Sequence, residues 1–190
     1  DRRLQLSNVS TEFKQHTRVT DLEAMQCVKE AVGSTRLTIE SELSMGLPNS
    51  PMHGAHIHVV GGNFITAKPL GIQEGIDFQR AGEVRRINSA TIKEQLESSS
   101  IVLISPIGFS PTGEAFNLSY QDVASHVAIA LGAEKLILIS EAGAINDKDR
   151  LLRSLSLPQL AELQETLKNV EHSELLGAAS LACYGGVERV

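Results

Sequence analysis

The sequence predicts an α/β fold, a three-layer α/β/α sandwich in which helices cover both faces of a mainly parallel sheet. Continuous apolar runs at 101–104 and 136–139 are typical of strands buried on both faces. An amphipathic stretch at 119–131 lies between them, so a right-handed crossover would place both strands in one parallel sheet. Strand-like segments between turn signals in the middle of the chain predict an antiparallel, β-hairpin excursion from that sheet.

Helical periodicity dominates the first quarter of the chain. Thr20 and Glu23 have the spacing of a capping box, which predicts that a helix starts at Thr20. Apolar residues follow at helical spacing on one face: Met25, Val28 and Val32. A second helical stretch is predicted to continue to Leu43.

Two hairpins are predicted in the middle of the chain. Strands at 55–60 and 63–68 flank a Gly-Gly pair, which can supply the positive φ angles of a two-residue turn. Strands at 76–79 and 83–87 flank an Ala-Gly pair in a similar way.

The second half is predicted to contain four helices. Ser89 caps a short one, and Ser119 begins the helix that ends at Gly132. Ser156 opens the third, and the last runs over 173–183. No internal repeat or linker interrupts the pattern, so one domain over 1–190 is expected.

Composition excludes several classes of protein. With 190 residues, 42% hydrophobic and 21% charged, the chain is neither disordered nor fibrous. Its net charge of −6 argues against nucleic acid as a partner. Two distant cysteines without a CxxC motif predict neither a zinc knuckle nor a disulfide framework. No apolar run reaches membrane-spanning length, so we expect no membrane association and a soluble, cytoplasmic protein.

Ligand sites in open α/β sheets lie at the carboxyl ends of the strands, here the loops 105–117 and 140–149. The first loop brings Asn117 to the start of the next helix, where helix amides favour an anionic ligand. The alternative is that Ser119 only caps its helix and Asn117 closes a turn. Arg18 can clamp a carboxylate with two parallel hydrogen bonds, or it is a solvated charge.

Three histidines form the pattern HxxHxH, at His53, His56 and His58. No cysteine or carboxylate neighbours them, and a stable metal site needs three or four ligands, so no metal site is predicted. A metal-binding module remains an alternative interpretation. His126 has no nucleophile near it in sequence, so no catalytic triad is predicted.

Phosphate chemistry also lacks its usual signals. Neither GxGxxG nor GxxxxGK[ST] occurs in the chain, so a complete glycine-rich phosphate cradle is missing. Glu141 and Asp147 are either a catalytic pair or loop acids that face water.

Six segments carry a resemblance to a known family, in order and spacing over nearly the whole chain. They are 17–21, 54–60, 62–65, 69–71, 84–87 and 112–118. Together they resemble the amino-acid-kinase-like domain of the bacterial N-acetylglutamate synthase family. The resemblance implies the amino-acid kinase fold. Because the chain begins without Met and stops within a strand-like segment, we expect a fragment truncated at both ends, without the family's C-terminal acetyltransferase domain of the GNAT type.

The resemblance also implies a function. The family's full-length enzyme is an acyltransferase that moves acetyl from acetyl-CoA to L-glutamate, the first step of arginine biosynthesis, and L-arginine inhibits it. The kinase-like domain carries this allosteric regulation and contributes to assembly. We therefore expect a regulatory or scaffold fragment that forms a homo-oligomer, binds small molecules, contains no catalytic residue and needs no cofactor of its own.

Acetylglutamate kinases have the same fold and supply the alternative function, ATP-dependent phosphorylation of a carboxylate. The resemblance matches their substrate-clamping Arg to Arg18 and their substrate-binding Asn to Asn117, which implies a vestigial ligand pocket. Where the kinases carry a catalytic Asp, this chain has Gln121, and no lysine occurs after Lys168 to match their late catalytic Lys. Their strand-end Asp corresponds to Glu141.

The family's arginine site surrounds the terminal helix and the Gly-Gly turn that follows it. Gly185 and Gly186 match that turn, which implies that their backbone approaches the effector. An ordinary helix C-cap is the equal alternative.

Overall fold

The computed structural model describes residues 2–14, 17–45, 51, 54, 57–139, 146–147, 150–152, 154–166 and 170–190. They form two compact units, unit 1 (Asp1–Tyr120) and unit 2 (Gln121–Val190). No helix in these ranges is both long enough and apolar enough to span a bilayer.

The described part of unit 1 alternates short strands with helices. In chain order its elements are α1 (Arg2–Leu6), β1 (Phe13–Lys14), β2 (Thr17–Arg18), α2 (Leu22–Ser44), β3 (Val59–Gly61), β4 (Ile65–Pro69), β5 (Ile72–Gln73), β6 (Ile76–Asp77), β7 (Gly82–Ile87), α3 (Ser89–Glu97), β8 (Ile101–Leu103), β9 (Ile107–Phe109) and β10 (Ala115–Asn117).

The predicted helix start at Thr20 is wrong by one residue. Asp21 is the N-cap of α2, and its carboxylate accepts a hydrogen bond from the amide of Ala24 at 2.7 Å. The two predicted helical stretches form one helix of 23 residues. Similarly, Asn88 rather than Ser89 caps α3, because its side chain accepts from the amide of Thr91.

The larger sheet of unit 1 has the order β10-β9-β4-β7. Strand β4 runs antiparallel to β7 and parallel to β9, and β9 and β10 form a hairpin. Strands β3 and β8 pair in parallel, with Val59 opposite Ile101. The core lies on β4 and its neighbours, where buried residues include Ile65, Ala67 and Phe116.

The hairpin predicted at Gly61-Gly62 is wrong, because β3 pairs with β8 while β4 pairs with β7 and β9. Gly61 instead permits a close approach. A Cβ built there would lie 2.5 Å from the guanidinium carbon of Arg36 on α2. The glycine therefore makes room for a helix side chain rather than for a turn.

The second predicted hairpin is also wrong in its pairing. Strand β7 pairs with β4, and β6 pairs with β5. The turn between β5 and β6 is made by Glu74 and Gly75, whose φ angles of 50° and 79° suit a two-residue hairpin turn. The sheet excursion is thus antiparallel as expected, but its strands have different partners.

Unit 2 is mostly helical in its described residues. Its elements are α4 (Tyr120–Leu131, which begins at the unit boundary), β11 (Asn146–Asp147), β12 (Arg150–Leu151), α5 (Leu157–Thr166) and α6 (Val170–Tyr184). A small core joins α4 to the end of α6 through Ala128, Ala182 and Val187. The predicted opening of α5 is confirmed, since the side chain of Gln159 accepts from the amide of Ser156 at 2.9 Å.

The strand predicted at 136–139 is not formed by the described residues. Ile137 is 73% exposed and Ile139 is 88% exposed, and the segment is joined to the end of the chain by a single bridge from Lys135 to Arg189. An apolar run becomes a buried strand only where neighbouring strands supply its backbone hydrogen bonds.

Candidate ligand-binding site

Three backbone segments of unit 1 meet beside the start of α2. The amide of Arg80 donates to the carbonyl of Thr20 at 2.7 Å, and the amide of Asn117 donates to the carbonyl of Arg80 at 2.9 Å. Residue Arg80 therefore lies between the end of β2 and the end of β10. Arg18 and Asn117 are the two residues predicted to bind a ligand. Their segments lie on either side of the segment that contains Arg80.

A buried hydroxyl connects those two segments directly. Asn117 Nδ2 donates to Thr20 Oγ1 at 3.2 Å, and Thr20 Oγ1 lies 3.2 Å from the carbonyl oxygen of Arg18, to which it donates. Thr20 is fully buried, whereas Arg18 and Asn117 are half-buried. The side-chain amide of Asn117, the hydroxyl of Thr20 and the backbone carbonyl of Arg18 thus form one hydrogen-bonded chain.

Local contacts orient the guanidinium of Arg18. Its Nη1 donates a hydrogen bond to Thr11 Oγ1, and its central carbon lies 4.4 Å from the centre of the Phe13 ring. Burial lowers the pKa of the guanidinium, which nevertheless stays protonated because arginine titrates far above neutral pH. Arg18 therefore presents a positive charge whose guanidinium is oriented by Thr11 and Phe13.

The structure adds two charged residues that the sequence did not reveal. Arg80 Nη1, from the segment before β7, donates to Glu114 Oε1 in the β9–β10 loop at 2.5 Å. The hydrogen bond and the positive charge of Arg80 lower the pKa of the exposed Glu114 carboxyl. Thirty-four residues separate the pair, so no spacing rule points to it.

In unit 2, Gln121 is buried at 6% exposure, and its Nε2 donates to Glu174 Oε2 at 3.0 Å. One turn further along α4, Ser125 Oγ lies 2.9 Å from the carbonyl oxygen of Ala178 on α6. Gln121 is the residue at which the resemblance to the kinases predicts a difference.

Gly185 and Gly186 end α6 with a pattern of backbone hydrogen bonds typical of a Schellman cap. The amide of Val187 donates to the carbonyl of Ala182, and that of Gly186 donates to the carbonyl of Cys183. Gly186 has a φ of 102°, and a Cβ on Gly185 would lie 2.4 Å from Ile129. Both glycines are required by the fold itself.

The remaining candidates find little support in the described residues. His53, His56 and Glu141 lie outside them. His58 is exposed, and the described ranges contain no group of three metal-ligating side chains. Asp147 lies on β11, paired opposite Arg150 on β12.

The sequence and the structure are both similar to those of known proteins. The sequence profile of the amino acid kinase family matches residues 1–190. An amino-acid acetyltransferase from Azotobacter vinelandii is 48% identical over 188 residues, which are 98% of this chain and 44% of that protein. The chain therefore spans less than half the length of the relatives it matches.

Two solved structures of N-acetylglutamate synthase from Neisseria gonorrhoeae are 31% identical to the chain and cover 98% of it. One, complexed with coenzyme A and N-acetyl-glutamate, has a TM-score of 0.87 and is covered over 42% of its length. The other, complexed with coenzyme A and L-arginine, has a TM-score of 0.89 and is covered over 44%. These likenesses confirm the predicted fold class.

Proposed function

The chain belongs to the amino acid kinase family, and from that premise we propose that it is the regulatory and scaffold part of an amino-acid N-acetyltransferase. In the proposed full-length enzyme, acetyl passes from acetyl-CoA to L-glutamate in arginine biosynthesis. The observation that supports this proposal is the 48% identity to an amino-acid acetyltransferase, over 98% of the chain but only 44% of that protein. This part would act in the cytoplasm within a homo-oligomer, with small molecules rather than nucleic acid as its ligands.

The contacts of Gln121 support a regulatory rather than a kinase role. Phosphoryl transfer depends on charged groups that orient the nucleotide and its metal ions. At the position that corresponds to the kinases' catalytic Asp, this chain has a neutral amide that is buried and bonded to Glu174. A carboxylate kinase would need another group there, so the alternative function is disfavoured.

Arg18 and Asn117 would form a pocket for an acylamino acid. The fixed guanidinium of Arg18 can bind a carboxylate, and the amide of Asn117 can bind a carboxylate or an acyl carbonyl. Their segments are joined through Thr20, so both groups belong to one local structure.

Gly185 and Gly186 would form part of the arginine effector site in the longer enzyme. Their backbone ends α6; neither glycine carries a side chain of its own, and Ile129 packs against Gly185. Because the family's site includes strands that follow this turn, we expect the 190-residue chain to bind L-arginine weakly or not at all.

Two measurements test the proposal. Calorimetric titration with L-arginine should show clear binding to the full-length protein and little to this chain, and the full-length protein should transfer acetyl from acetyl-CoA to L-glutamate. Phosphorylation of N-acetyl-L-glutamate by this chain with ATP and magnesium, lost in Asn117→Ala, would instead establish the kinase. Tight arginine binding by the chain alone would show that the effector site is wrongly assigned.

A further inference from the structure

The side chain of Thr20 connects the backbone carbonyl of Arg18 to the side chain of Asn117. Its hydroxyl accepts from Asn117 Nδ2 and donates to the carbonyl of Arg18, both at 3.2 Å. We propose that Thr20 is a positioning residue, which sets the orientation of the Asn117 amide relative to Arg18 for binding of a carboxylate ligand. This inference rests on the proposed ligand role of Arg18 and Asn117.

The backbone around Thr20 does not need the hydroxyl. Its carbonyl accepts from the amide of Arg80, and the amide of Asn117 donates to the carbonyl of Arg80. The neighbouring helix is capped separately, by Asp21. Loss of the Thr20 hydroxyl therefore leaves these backbone hydrogen bonds in place. What it removes is the hydrogen bond that orients the side chain of Asn117.

The hydroxyl decides which edge of the Asn117 amide meets a ligand. A primary amide carries two hydrogens and one acceptor oxygen, and it can rotate about its terminal bond. The bond to Thr20 uses one hydrogen and stops that rotation. The second hydrogen and the oxygen then take fixed directions, which lowers the ordering cost of binding.

Burial makes this orientation selective. Thr20 is fully buried, so water cannot replace the hydroxyl as the acceptor for Asn117 without a change in packing. A flipped amide would place its oxygen opposite the hydroxyl, whose single hydrogen is already given to the carbonyl of Arg18. Only one of the two amide orientations is satisfied.

The test compares Thr20→Val, which keeps the shape but removes the hydroxyl, with Thr20→Ser, which keeps the hydroxyl. N-acetyl-L-glutamate is the probe, its dissociation constant is measured by calorimetry, and unfolding is followed for each variant. We expect Thr20→Val to weaken binding about tenfold and Thr20→Ser to stay within about twofold of the wild type. Equal losses in both variants, or full affinity in Thr20→Val, would overturn the positioning role.

A double-mutant cycle and a wild-type measurement guard against a variant that fails to fold. In an Asn117→Ala background, Thr20→Val should cause no further loss, whereas additive losses contradict an action through Asn117. In the wild-type chain, NMR should show one Asn117 Nδ2 hydrogen protected from exchange with water, and equal exchange of both would also overturn the inference. Absence of probe binding to the wild type would instead remove the proposed pocket itself.

Discussion

Gln121 and Glu174 join helices α4 and α6 by a side-chain hydrogen bond of 3.0 Å. Ser125 and Ala178, each four residues further along, make a second connection of 2.9 Å between the same helices. Since residues four apart lie on one helix face, these two hydrogen bonds connect the same faces of α4 and α6, one helical turn apart. At the position where the resemblance implies an acid in the kinases, this chain has an amide that joins two helices.

This pairing predicts the effect of charge at position 121. Gln121→Glu places a second carboxylate beside Glu174, which raises the pKa of one of them in the folded state. We expect the free energy of unfolding to fall by about 1–2 kcal/mol at pH 7. A raised folded-state pKa does not change the free energy of unfolding below the unfolded pKa of about 4.3. The destabilisation grows as the pH rises from there to the folded pKa, and it stays constant above that value. Urea unfolding between pH 3 and 8 measures this difference.

The double variant Gln121→Glu with Glu174→Gln is the matched control, because it exchanges the amide and the carboxylate. It should recover most of the lost stability at pH 7. If the single variant is as stable as the wild type at pH 7, the Gln121–Glu174 contact does not persist in solution.

For the pair of Arg80 and Glu114 we predict the opposite dependence of stability on pH. The pKa of Glu114 is lowered in the folded chain, mainly by its hydrogen bond to Arg80. The contribution of this pair is therefore present above the unfolded pKa and is lost as the pH falls through the lowered folded pKa. We expect the stability difference between the wild type and Glu114→Gln to be present at pH 7, to vanish in acid, and to shrink in high salt because Glu114 is exposed.

Arg80→Gln supplies the control for that pH dependence. In its background, Glu114→Gln should change stability by the same small amount at every pH, because the positive partner is gone. A pH-dependent difference that survives without Arg80 would assign the lowered pKa to another group.

Periodicity predicted the helices well and the strand pairing poorly, for a physical reason. The backbone hydrogen bonds of a helix such as α5 lie within its own residues. Its start is indicated by Ser156 and Gln159, which are three residues apart in sequence. The backbone hydrogen bonds of a strand are made to another strand, which can be distant in sequence. In the pair β3 and β8, Val59 lies opposite Ile101, forty-two residues later. No local pattern identifies that partner.

The same distinction applies to the candidate site. Residue chemistry, loop position and the resemblance together identified Arg18 and Asn117 as candidates, and the structure brings their segments together through Arg80 and Thr20. Thr20 was predicted to cap a helix, which is a local role, whereas its observed bond spans 97 positions. Such a contact follows from the fold and could not be found from spacing.

Close packing of the larger sheet predicts a large effect at Gly108. A Cβ at this position would lie 2.6 Å from Ala67 Cβ on the neighbouring strand and 3.0 Å from Leu118. Gly108→Ala should therefore lower the free energy of unfolding by about 1–3 kcal/mol, as measured by urea denaturation.

Gly33 offers the opposite case within the same unit. It is exposed in the interior of α2, and a Cβ there would meet nothing within 4 Å. Gly33→Ala should raise stability by about 0.5–1 kcal/mol, because alanine loses less backbone entropy in a helix. Equal effects of the two substitutions would contradict the close approach of β9 to β4.

The contacts of Arg18 predict that its geometry matters as well as its charge. Arg18→Lys keeps one positive charge but removes the planar guanidinium that stacks on Phe13 and can bind a carboxylate at two points. If Arg18 binds ligand as proposed, we expect the affinity for N-acetyl-L-glutamate to fall about tenfold, measured by calorimetry. Arg36→Lys is the matched control, because Arg36 pairs with Glu40 on the same helix, and it should bind within about twofold of the wild type. Full affinity in Arg18→Lys would mean that charge alone attracts the ligand, since a lysine ammonium cannot reproduce either the stacking or the paired hydrogen bonds.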